Sequence, residues 1–221
     1  MTEIVAIDGP AGSGKSSVSK QVARELGFGY LDTGAAYRAL AWAVLEGDFE
    51  LANLAEVDLD ASFDYAISLD ADDFWVRVGV HDVTAAIREQ RVAEFVSQVA
   101  RIQTVRDFMK RLTHRLVAQS GRAGVVVEGR DITTVVLPDA NARLLLTASE
   151  EVRLNRRSAE IGVNDTQKVA RQVSQRDASD AAVSDFMTPA EGVILIDSSD
   201  LNFEQTVAAV LETIANATTK D

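Results

Sequence analysis

One short stretch organises the chain: Gly9-Pro10-Ala11-Gly12-Ser13-Gly14-Lys15-Ser16. It follows the apolar run Ile4–Ile7 and precedes an amphipathic run, Ser17–Leu26. Glycines at its first and sixth positions, followed by lysine and serine, fit the pattern G-x-x-x-x-G-K-[ST]. In the second run, Val18, Val22 and Leu26 recur at helical spacing, so the context predicts a strand, a tight loop and a helix.

This pattern is typical of a loop that binds phosphate, and we call residues 9–16 the phosphate loop. Its glycines let the backbone turn tightly, so that successive N–H groups point at phosphate oxygens where a helix begins. The alternative is a glycine-rich turn without a ligand. We expect Gly9 to Ser17 to bind ATP, with Lys15 as a catalytic residue on the β- and γ-phosphates and Ser16 as the Mg²⁺ ligand.

The composition argues against two broad classes of protein. With a net charge of -12, the chain lacks the broad basic surface of a protein that coats nucleic acid. No apolar stretch approaches the roughly 20 residues of a membrane span, and without cysteine the chain has no disulfides. The start Met1-Thr2-Glu3 leads straight into an apolar run, so we expect a cytoplasmic protein. Of the 22 basic residues 17 are arginine, which suits bidentate phosphate binding.

Apolar runs and helical patterns alternate along much of the chain. After the first helix, Gly29–Asp32 is predicted as a strand and Ala35–Glu46 as a helix that Gly47 ends. Val125–Val127 is a continuous β-branched run, typical of a central strand buried on both faces. Further predicted elements are the strands Arg143–Thr147 and Val193–Ile196 and the helices Glu150–Ile161, Thr166–Asp177 and Phe203–Ala215. This alternation predicts an α/β fold with a parallel sheet of five strands.

The middle of the chain has a different pattern. Two apolar runs, Phe63–Leu69 and Phe74–Val80, flank the acidic turn Asp70–Asp73, and the second run alternates apolar and polar residues. That alternation predicts a small antiparallel insert. Before it, Asp48–Asp60 is acidic and irregular, and after it a helical pattern runs with breaks over Thr84–Ser120.

Polar residues follow three of the predicted parallel strands: Asp8, Asp32–Gly34 and Glu128–Asp131. In an open parallel sheet, ligands bind beyond the carboxyl ends of the strands. We therefore expect a second substrate beside the phosphate loop. Asp8 and Asp32 each have two possible roles: either could orient Mg²⁺ through water, or it could cap a turn.

Besides the phosphate loop, six segments carry further motifs: Leu31–Arg38, Asp82–Arg88, Val96–Ala100, Val105-Arg106, Gly129–Asp131 and Arg176–Asp180. Together these motifs span nearly the whole chain and resemble those of the bacterial cytidylate kinase family of P-loop nucleoside monophosphate kinases. The phosphate loop alone fits many small kinases, whereas the full set in this order is much more specific. The resemblance implies Mg²⁺-dependent transfer of a phosphoryl group from ATP to CMP, and to dCMP, in pyrimidine nucleotide metabolism.

The resemblance also implies a single P-loop kinase domain with helices on both faces of its sheet. Its expected parts are a core (1–47, 121–150 and 190–221), an insert that binds the nucleoside monophosphate (48–120) and a short helical lid (151–189). We expect a monomer whose partners are ATP and CMP or dCMP.

Carried over position by position, the resemblance assigns residues to each part of the site. The expected contacts are Thr33, Arg38 and Arg130 with the acceptor α-phosphate, Ser97, Arg106 and Asp131 with the cytosine, and Arg176 and Asp180 near the sugar. The expected catalytic residues are Lys15, Arg130, Arg153, Arg157 and Arg176, of which Arg153 and Arg157 belong to the lid.

Several alternatives stay open at this point. Arg130 could pair only with Glu128 or Asp131, and Asp131 could pair only with a neighbouring arginine. Two departures affect the segment near the lid, because Val183 stands where the family commonly has arginine and Asp185-Phe186 where it has Pro-Leu. Other possible functions are a kinase for UMP, AMP or shikimate, or a GTPase-like switch, which the lack of an Asn-Lys-x-Asp segment disfavours.

Overall fold

The computed structural model describes residues 2–161 and 188–218 of the 221-residue chain. Contacts within the chain divide it into two compact units. Unit 1 consists of Met1–Tyr30 and Arg122–Asp221, and unit 2 of Leu31–Gly121. Residues 31–47, which were expected to belong to the core, lie in unit 2. The division into core, insert and lid stays a prediction. In the part of the chain that the structure describes, no helix is both long and apolar enough to cross a membrane.

The strands form two sheets. In chain order they are β1 (Glu3–Asp8), β2 (Gly29–Asp32), β3 (Tyr65–Ile67), β4 (Val76–Val78), β5 (His81–Asp82), β6 (Gly124–Gly129), β7 (Ala142–Thr147) and β8 (Ile194–Asp197). The larger sheet has the order β2-β6-β1-β7-β8, and its pairs β1–β6, β1–β7 and β7–β8 are parallel. The smaller sheet, β3-β4-β5, is antiparallel. The predicted five-stranded parallel sheet and small antiparallel sheet are both confirmed.

The helices follow the predicted pattern in most places. They are α1 (Lys15–Leu26), α2 (Thr33–Glu46), α3 (Leu59–Ser62), α4 (Gln90–Ala100), α5 (Gln103–Ala118), α6 (Glu150–Ile161) and α7 (Phe203–Thr218). Shorter turns are the 3₁₀ helices Leu51–Glu56 and Ala86–Arg88 and the π-helical turn Ile132–Val136. The helix predicted over Thr166–Asp177 lies outside the described residues.

The centre of the larger sheet is apolar because β6 and β1 are covered on both faces. Val125–Val127 in β6 is fully buried, as its β-branched run predicts. The parallel register aligns Asp8, the last residue of β1, with Gly129 of β6 and Leu145 of β7. The segments that leave β1 and β6 therefore emerge at the same edge of the sheet.

The prediction of a fifth core strand at Val193–Ile196 is wrong in one respect. This strand is β8, which lies at the edge of the sheet and leaves Ile194 and Leu195 45% and 48% exposed. An edge strand has one neighbour instead of two, so only part of its surface is covered. A short apolar run looks the same in sequence at the centre and at the edge of a sheet.

Unit 2 contains more regular structure than predicted. The stretch expected to be irregular includes a 3₁₀ helix and α3, because Leu54 and Leu59 are buried there. Asp58 caps α3 by accepting a hydrogen bond from the backbone N–H of Ala61. The short strand β5 was not predicted. The break expected in the long helical pattern is confirmed, since α4 and α5 are separated at residues 101–102.

Candidate active site

The phosphate loop links β1 to α1 and depends on glycine at two positions. Gly12 and Gly14 have φ angles of 77° and 86°, in the left-handed region that other residues rarely adopt. A Cβ at Gly12 would also lie 2.5 Å from the backbone oxygen of Arg153. The predicted strand, loop and helix are thus present, and the loop is closely packed against α6.

The N-terminus of α1 is arranged to receive an anion. Its N-cap residue is Gly14, which has no side chain to cap the helix, and its first turn contains no acidic residue. Ser16 and Ser17 are exposed in that turn. Because the first N–H groups of a helix lack partners within the helix and carry partial positive charge, this end favours a negatively charged group.

Lys15, the first residue of α1, faces a buried carboxylate. Its Nζ lies 3.9 Å from Oε2 of Glu128, whose side chain is only 2% exposed. The hydroxyl of Tyr30 donates a hydrogen bond of 2.5 Å to Oε1 of the same carboxylate. The tyrosine orients the carboxylate and the carboxylate attracts the ammonium, so Lys15 is held beside the carboxyl end of β6.

Asp8 holds the segment that follows β6. Its buried carboxylate accepts hydrogen bonds from the backbone N–H of Ile132 at 3.0 Å, and from the N–H and hydroxyl of Thr133 at 2.8 and 2.7 Å. Burial raises the pKa of Asp8, while the bonds from Thr133 act in the opposite direction. These contacts fit the turn-capping alternative, and they fix the π-helical turn directly after Arg130 and Asp131.

Three arginines of unit 1 donate hydrogen bonds to backbone carbonyls of the phosphate loop. The pairs are Arg130 with Gly9, Arg153 with Ala11 at 2.9 Å and Arg156 with Ser13 at 3.1 Å. The acceptors are alternate residues of the loop. Positive charge is therefore gathered around the segment predicted to bind phosphate.

Helix α6 supplies two of these three arginines. Arg153 is buried at 7% exposure, while Arg156 and Arg157 are half-buried. Arg153 and Arg157 are catalytic candidates by the family resemblance, whereas Arg156 is not among those candidates. Spacing along one helix does not show which of these side chains reaches the loop, so no signal in the sequence distinguishes Arg156.

In unit 2, Thr33 and Arg38 lie on α2. Asp32 caps this helix, since its Oδ1 accepts a hydrogen bond of 3.1 Å from the N–H of Ala35. Its Oδ2 accepts one of 2.7 Å from Nη2 of Arg38. A Cβ at Gly34 would lie 2.9 Å from Nη1 of the same guanidinium. Glycine thus leaves room for Arg38 beside the start of α2, and the capping role considered for Asp32 is present here too.

Two further predicted substrate residues lie on adjacent helices of unit 2. Ser97 is on α4 and Arg106 on α5, and both are half-buried. These two helices pack against each other. Outside the described residues lie the predicted site residues Arg176 and Asp180 and the departures Val183, Asp185 and Phe186.

The described residues offer a metal ion few protein ligands. Within residues 2–161 and 188–218, no group of three or more histidine, aspartate or glutamate side chains could hold one. Mg²⁺ bound with a nucleotide takes few protein ligands, because phosphates and water fill most of its coordination shell. The exposed hydroxyl of Ser16, in the first turn of α1, fits that limited requirement.

Comparison with known proteins assigns the chain to one family. The family model described as cytidylate kinase matches residues 5–216. The cytidylate kinase of Cutibacterium acnes is 43% identical over 214 residues, which cover 96% of this chain and 95% of that protein. The corresponding enzyme of Mycobacterium leprae is 40% identical over 221 residues, covering 97% of this chain and 96% of its own.

Solved structures show a similar fold at much lower identity. An uncharacterized protein from Eubacterium ventriosum has a TM-score of 0.53 at 13% identity, with 97% of this chain and 99% of that chain covered. The protein TT1252 from Thermus thermophilus has a TM-score of 0.50 at 19% identity, with 96% and 97% covered. At these identities the likeness concerns the fold alone.

Proposed function

The chain belongs to the cytidylate kinase family, and on that ground we propose that it transfers the γ-phosphoryl group of ATP to CMP. The observation that carries this proposal is the family match over residues 5–216, which includes the phosphate loop and the segments around it. The products are ADP and CDP. By the same family resemblance, dCMP is a second acceptor and gives dCDP.

The phosphate loop and the start of α1 form the donor site of this proposal. Residues 9–17 bind the phosphates of ATP through backbone N–H groups and the positive end of α1. The ammonium of Lys15 leaves its 3.9 Å contact with Glu128 to meet the phosphates. The Ser16 hydroxyl would hold Mg²⁺, which supplies positive charge to the β- and γ-phosphates when it is bound.

The acceptor residues are proposed from the family resemblance and from their surroundings. Arg38 is held by Asp32 at the start of α2, where Thr33 also lies. Arg130 follows β6 directly and donates to the Gly9 carbonyl. The full proposed acceptor set is Thr33, Arg38 and Arg130 for the α-phosphate, Ser97, Arg106 and Asp131 for cytosine, and Arg176 and Asp180 near the sugar.

Phosphoryl transfer of this kind depends on positioning and on charge rather than on a protein nucleophile. The proposed catalytic residues match that requirement, since all of them are cations: Lys15, Arg130, Arg153, Arg157 and Arg176. Bidentate guanidinium groups can hold phosphate oxygens in a fixed geometry, which brings the acceptor oxygen in line with the γ-phosphorus. Exclusion of water then prevents hydrolysis of ATP from competing with transfer.

Base selection follows from opposite hydrogen-bond patterns. Cytosine has an amino donor at N4 beside an acceptor at N3, whereas uracil has an acceptor at O4 beside an N–H donor at N3. A carboxylate such as Asp131 that accepts from N4, and a guanidinium such as Arg106 that donates toward the ring, would both be left unpaired by UMP. Such mismatches can discriminate by a factor of about 10⁴ in a dry site.

The other functions considered have less support. A kinase acting on UMP, AMP or shikimate would also use the phosphate loop, but the family match extends far beyond that loop. A GTPase-like switch would hydrolyse its nucleotide slowly and without an acceptor. Neither alternative explains the resemblance over nearly the whole chain.

An acceptor panel tests the proposal. Release of ADP from ATP and Mg²⁺ would be followed with CMP, dCMP, UMP, AMP, shikimate or no acceptor, and Lys15→Ala serves as the inactive control. We expect fast release with CMP and dCMP and at least a hundredfold lower kcat/KM with UMP, a conservative expectation for a site that hydrogen-bonds the base. Equal release without an acceptor would contradict the kinase function, and preference for another acceptor would contradict the substrate.

The parts of the protein that surround this chemistry stay predictions. These are the division into core, insert and lid, the monomeric state and the cytoplasmic location. The roles of Arg176 and Asp180 also stay predictions, because both residues lie outside the described part of the chain.

A further inference from the structure

Arg156 makes four hydrogen bonds that the proposed function does not use. Its Nη1 donates to the carbonyl of Ser13 at 3.1 Å and to Oγ of Ser198 at 2.9 Å. Its Nη2 donates to the carbonyls of Ser198 at 2.9 Å and Leu201 at 3.2 Å. One guanidinium therefore joins the phosphate loop to the segment between β8 and α7.

That segment is itself tied to the central sheet through Ser198. Ser198 is fully buried, and its N–H and hydroxyl both donate to the carbonyl of Thr147, at 2.8 and 2.9 Å. Thr147 is the last residue of β7. Arg156 thus connects the phosphate loop, through a buried serine, to the strand next to β1.

The charge of Arg156 is not neutralised by these contacts. Its four acceptors are three backbone carbonyls and one hydroxyl, all of them neutral oxygens. In unit 2, by contrast, Arg111 donates to the carboxylate of Asp60. A guanidinium that is held by neutral oxygens keeps its attraction for an anion nearby.

The bond to Ser13 also sets the direction of a neighbouring N–H. The carbonyl of Ser13 and the N–H of Gly14 belong to one planar trans peptide, so they point to opposite sides of the chain. When Arg156 holds the carbonyl on its own side, the N–H of Gly14 is directed away from Arg156. Gly14 is the N-cap of α1, where N–H groups bind phosphate.

We propose that Arg156 is a positioning residue of the donor site, which orients the Ser13–Gly14 peptide so that the Gly14 N–H binds the donor phosphates. It does so from a fixed point, because Ser198 and Leu201 hold the other side of its guanidinium. The inference rests on the proposed function for the identity of the donor. Its test uses a polyphosphate that can bind whether or not CMP is the acceptor.

The experiment measures binding of inorganic tripolyphosphate by calorimetry to four proteins: the unchanged chain, Arg156→Met, Arg156→Lys and Arg24→Met. Arg24 is an exposed residue of α1 in the same unit, so its variant removes the same charge without touching the loop. We expect the Kd for tripolyphosphate to rise about tenfold in Arg156→Met, which is the factor expected when one charge-assisted hydrogen bond is lost. Arg156→Lys should be similarly weak because lysine lacks the planar fork, and Arg24→Met should bind within twofold of the unchanged chain.

Two kinetic readouts separate positioning from a loss of folding. KM for ATP should rise about tenfold in Arg156→Met while KM for CMP changes less than twofold, since loss of folded protein would lower activity without changing either KM. A double variant gives an independent check by calorimetry. Ser198→Ala, which leaves the backbone acceptors of Arg156 in place, should weaken the binding of tripolyphosphate by a smaller factor than Arg156→Met. The double variant Ser198→Ala with Arg156→Met should bind tripolyphosphate as weakly as Arg156→Met alone. Any one of three results would overturn the inference. They are full binding of tripolyphosphate by Arg156→Lys, an equal rise in the KM values for ATP and CMP, and additive losses of binding from Ser198→Ala and Arg156→Met.

Discussion

Three arginines around the phosphate loop of unit 1 donate hydrogen bonds to backbone carbonyls, whereas four arginines of unit 2 pair with carboxylates. Around the phosphate loop, Arg130, Arg153 and Arg156 donate to three alternate loop carbonyls. A carbonyl orients a guanidinium without cancelling its charge. The loop is therefore surrounded by cations whose hydrogen-bond geometry is already defined, which suits a segment that has to bind several phosphates.

Unit 2 places most of the arginines with described contacts in ion pairs. The pairs are Arg38 with Asp32, Arg91 with Glu46 and Glu89, and Arg111 and Arg115 with Asp60. All but the first are largely exposed, and exposed pairs contribute little to stability. The Arg38–Asp32 pair differs because both side chains are mostly buried, at 15% and 13% exposure, and it lies at the start of α2 beside Thr33.

Two carboxylates, one in each unit, show a similar contrast. In unit 1, burial raises the pKa of Asp8, and its oxygens accept bonds from the backbone and from Thr133. In unit 2, hydrogen bonds from Arg111 and Arg115 lower the pKa of Asp60. The contrast indicates that Asp8 fixes a backbone turn, whereas Asp60 neutralises two surface arginines.

The largest expected effect is the loss of the cation in the phosphate loop itself. Lys15→Ala should lower kcat by a factor of about 10² to 10³ or more, because a preorganised charge on the transferring group is removed. Lys110→Ala, which removes an exposed lysine of α5 in unit 2, should leave kcat unchanged. Steady-state kinetics with ATP and CMP, together with circular dichroism spectra, would check both. Near-normal turnover in Lys15→Ala would refute the donor-site assignment.

A smaller effect comes from replacing a carbonyl-bound arginine by lysine. Arg130→Lys should lower kcat/KM for CMP about 100-fold, because an ammonium cannot reproduce the bidentate grip and shifts the acceptor phosphate. The matched change in unit 2 is Arg111→Lys. The side chain of Arg111 is 58% exposed and pairs with Asp60. That variant should keep kcat/KM within twofold. If both variants behave alike, the distinction between the two kinds of arginine fails.

The smallest effect is on stability and depends on pH. Thr133→Val removes the hydroxyl that bonds to the Asp8 carboxylate, so the free energy of unfolding at pH 7 should fall by about 1.5 kcal/mol. The hydroxyl lowers the pKa of Asp8, so its removal raises that pKa further and costs stability only where Asp8 is ionised. Urea unfolding should therefore give Thr133→Val a lower free energy of unfolding than the unchanged chain, and this deficit should shrink as the pH falls through the raised pKa of Asp8 toward the ordinary value of 3.8. Thr133→Ser, which keeps the hydroxyl, is the control, and a deficit of equal size at pH 4 and pH 7 would contradict this role.

Much of the fold could be predicted because its signals are local. The phosphate loop needs glycine at left-handed positions, and the run Val125–Val127 has the composition of a buried central strand. The edge position of β8 has no such signal, since its apolar residues are the same as those of a core strand. The strand β5 consists only of His81–Asp82, too short for any periodicity to appear.

Candidate site residues could be proposed from the sequence only where they belong to a motif. Lys15 and Ser16 are candidates because of the phosphate loop, and Arg130 because of the family resemblance and its place after a predicted strand. The contact of Asp8 with Thr133 joins residues far apart in the chain, so only the folded sheet reveals it. Arg156 is one of three arginines on α6, and its role depends on the carbonyls it reaches rather than on its spacing.

The most direct test of the account is to identify the products of the reaction. ATP, CMP and Mg²⁺ would be incubated with the protein and followed by phosphorus NMR, with a parallel sample lacking CMP. Direct transfer predicts that ADP and CDP appear in equal amounts, that no inorganic phosphate accumulates, and that ATP persists in the sample without CMP. Inorganic phosphate appearing at the same rate in both samples, with no CDP in either, would contradict the assignment of this chain as a kinase of CMP.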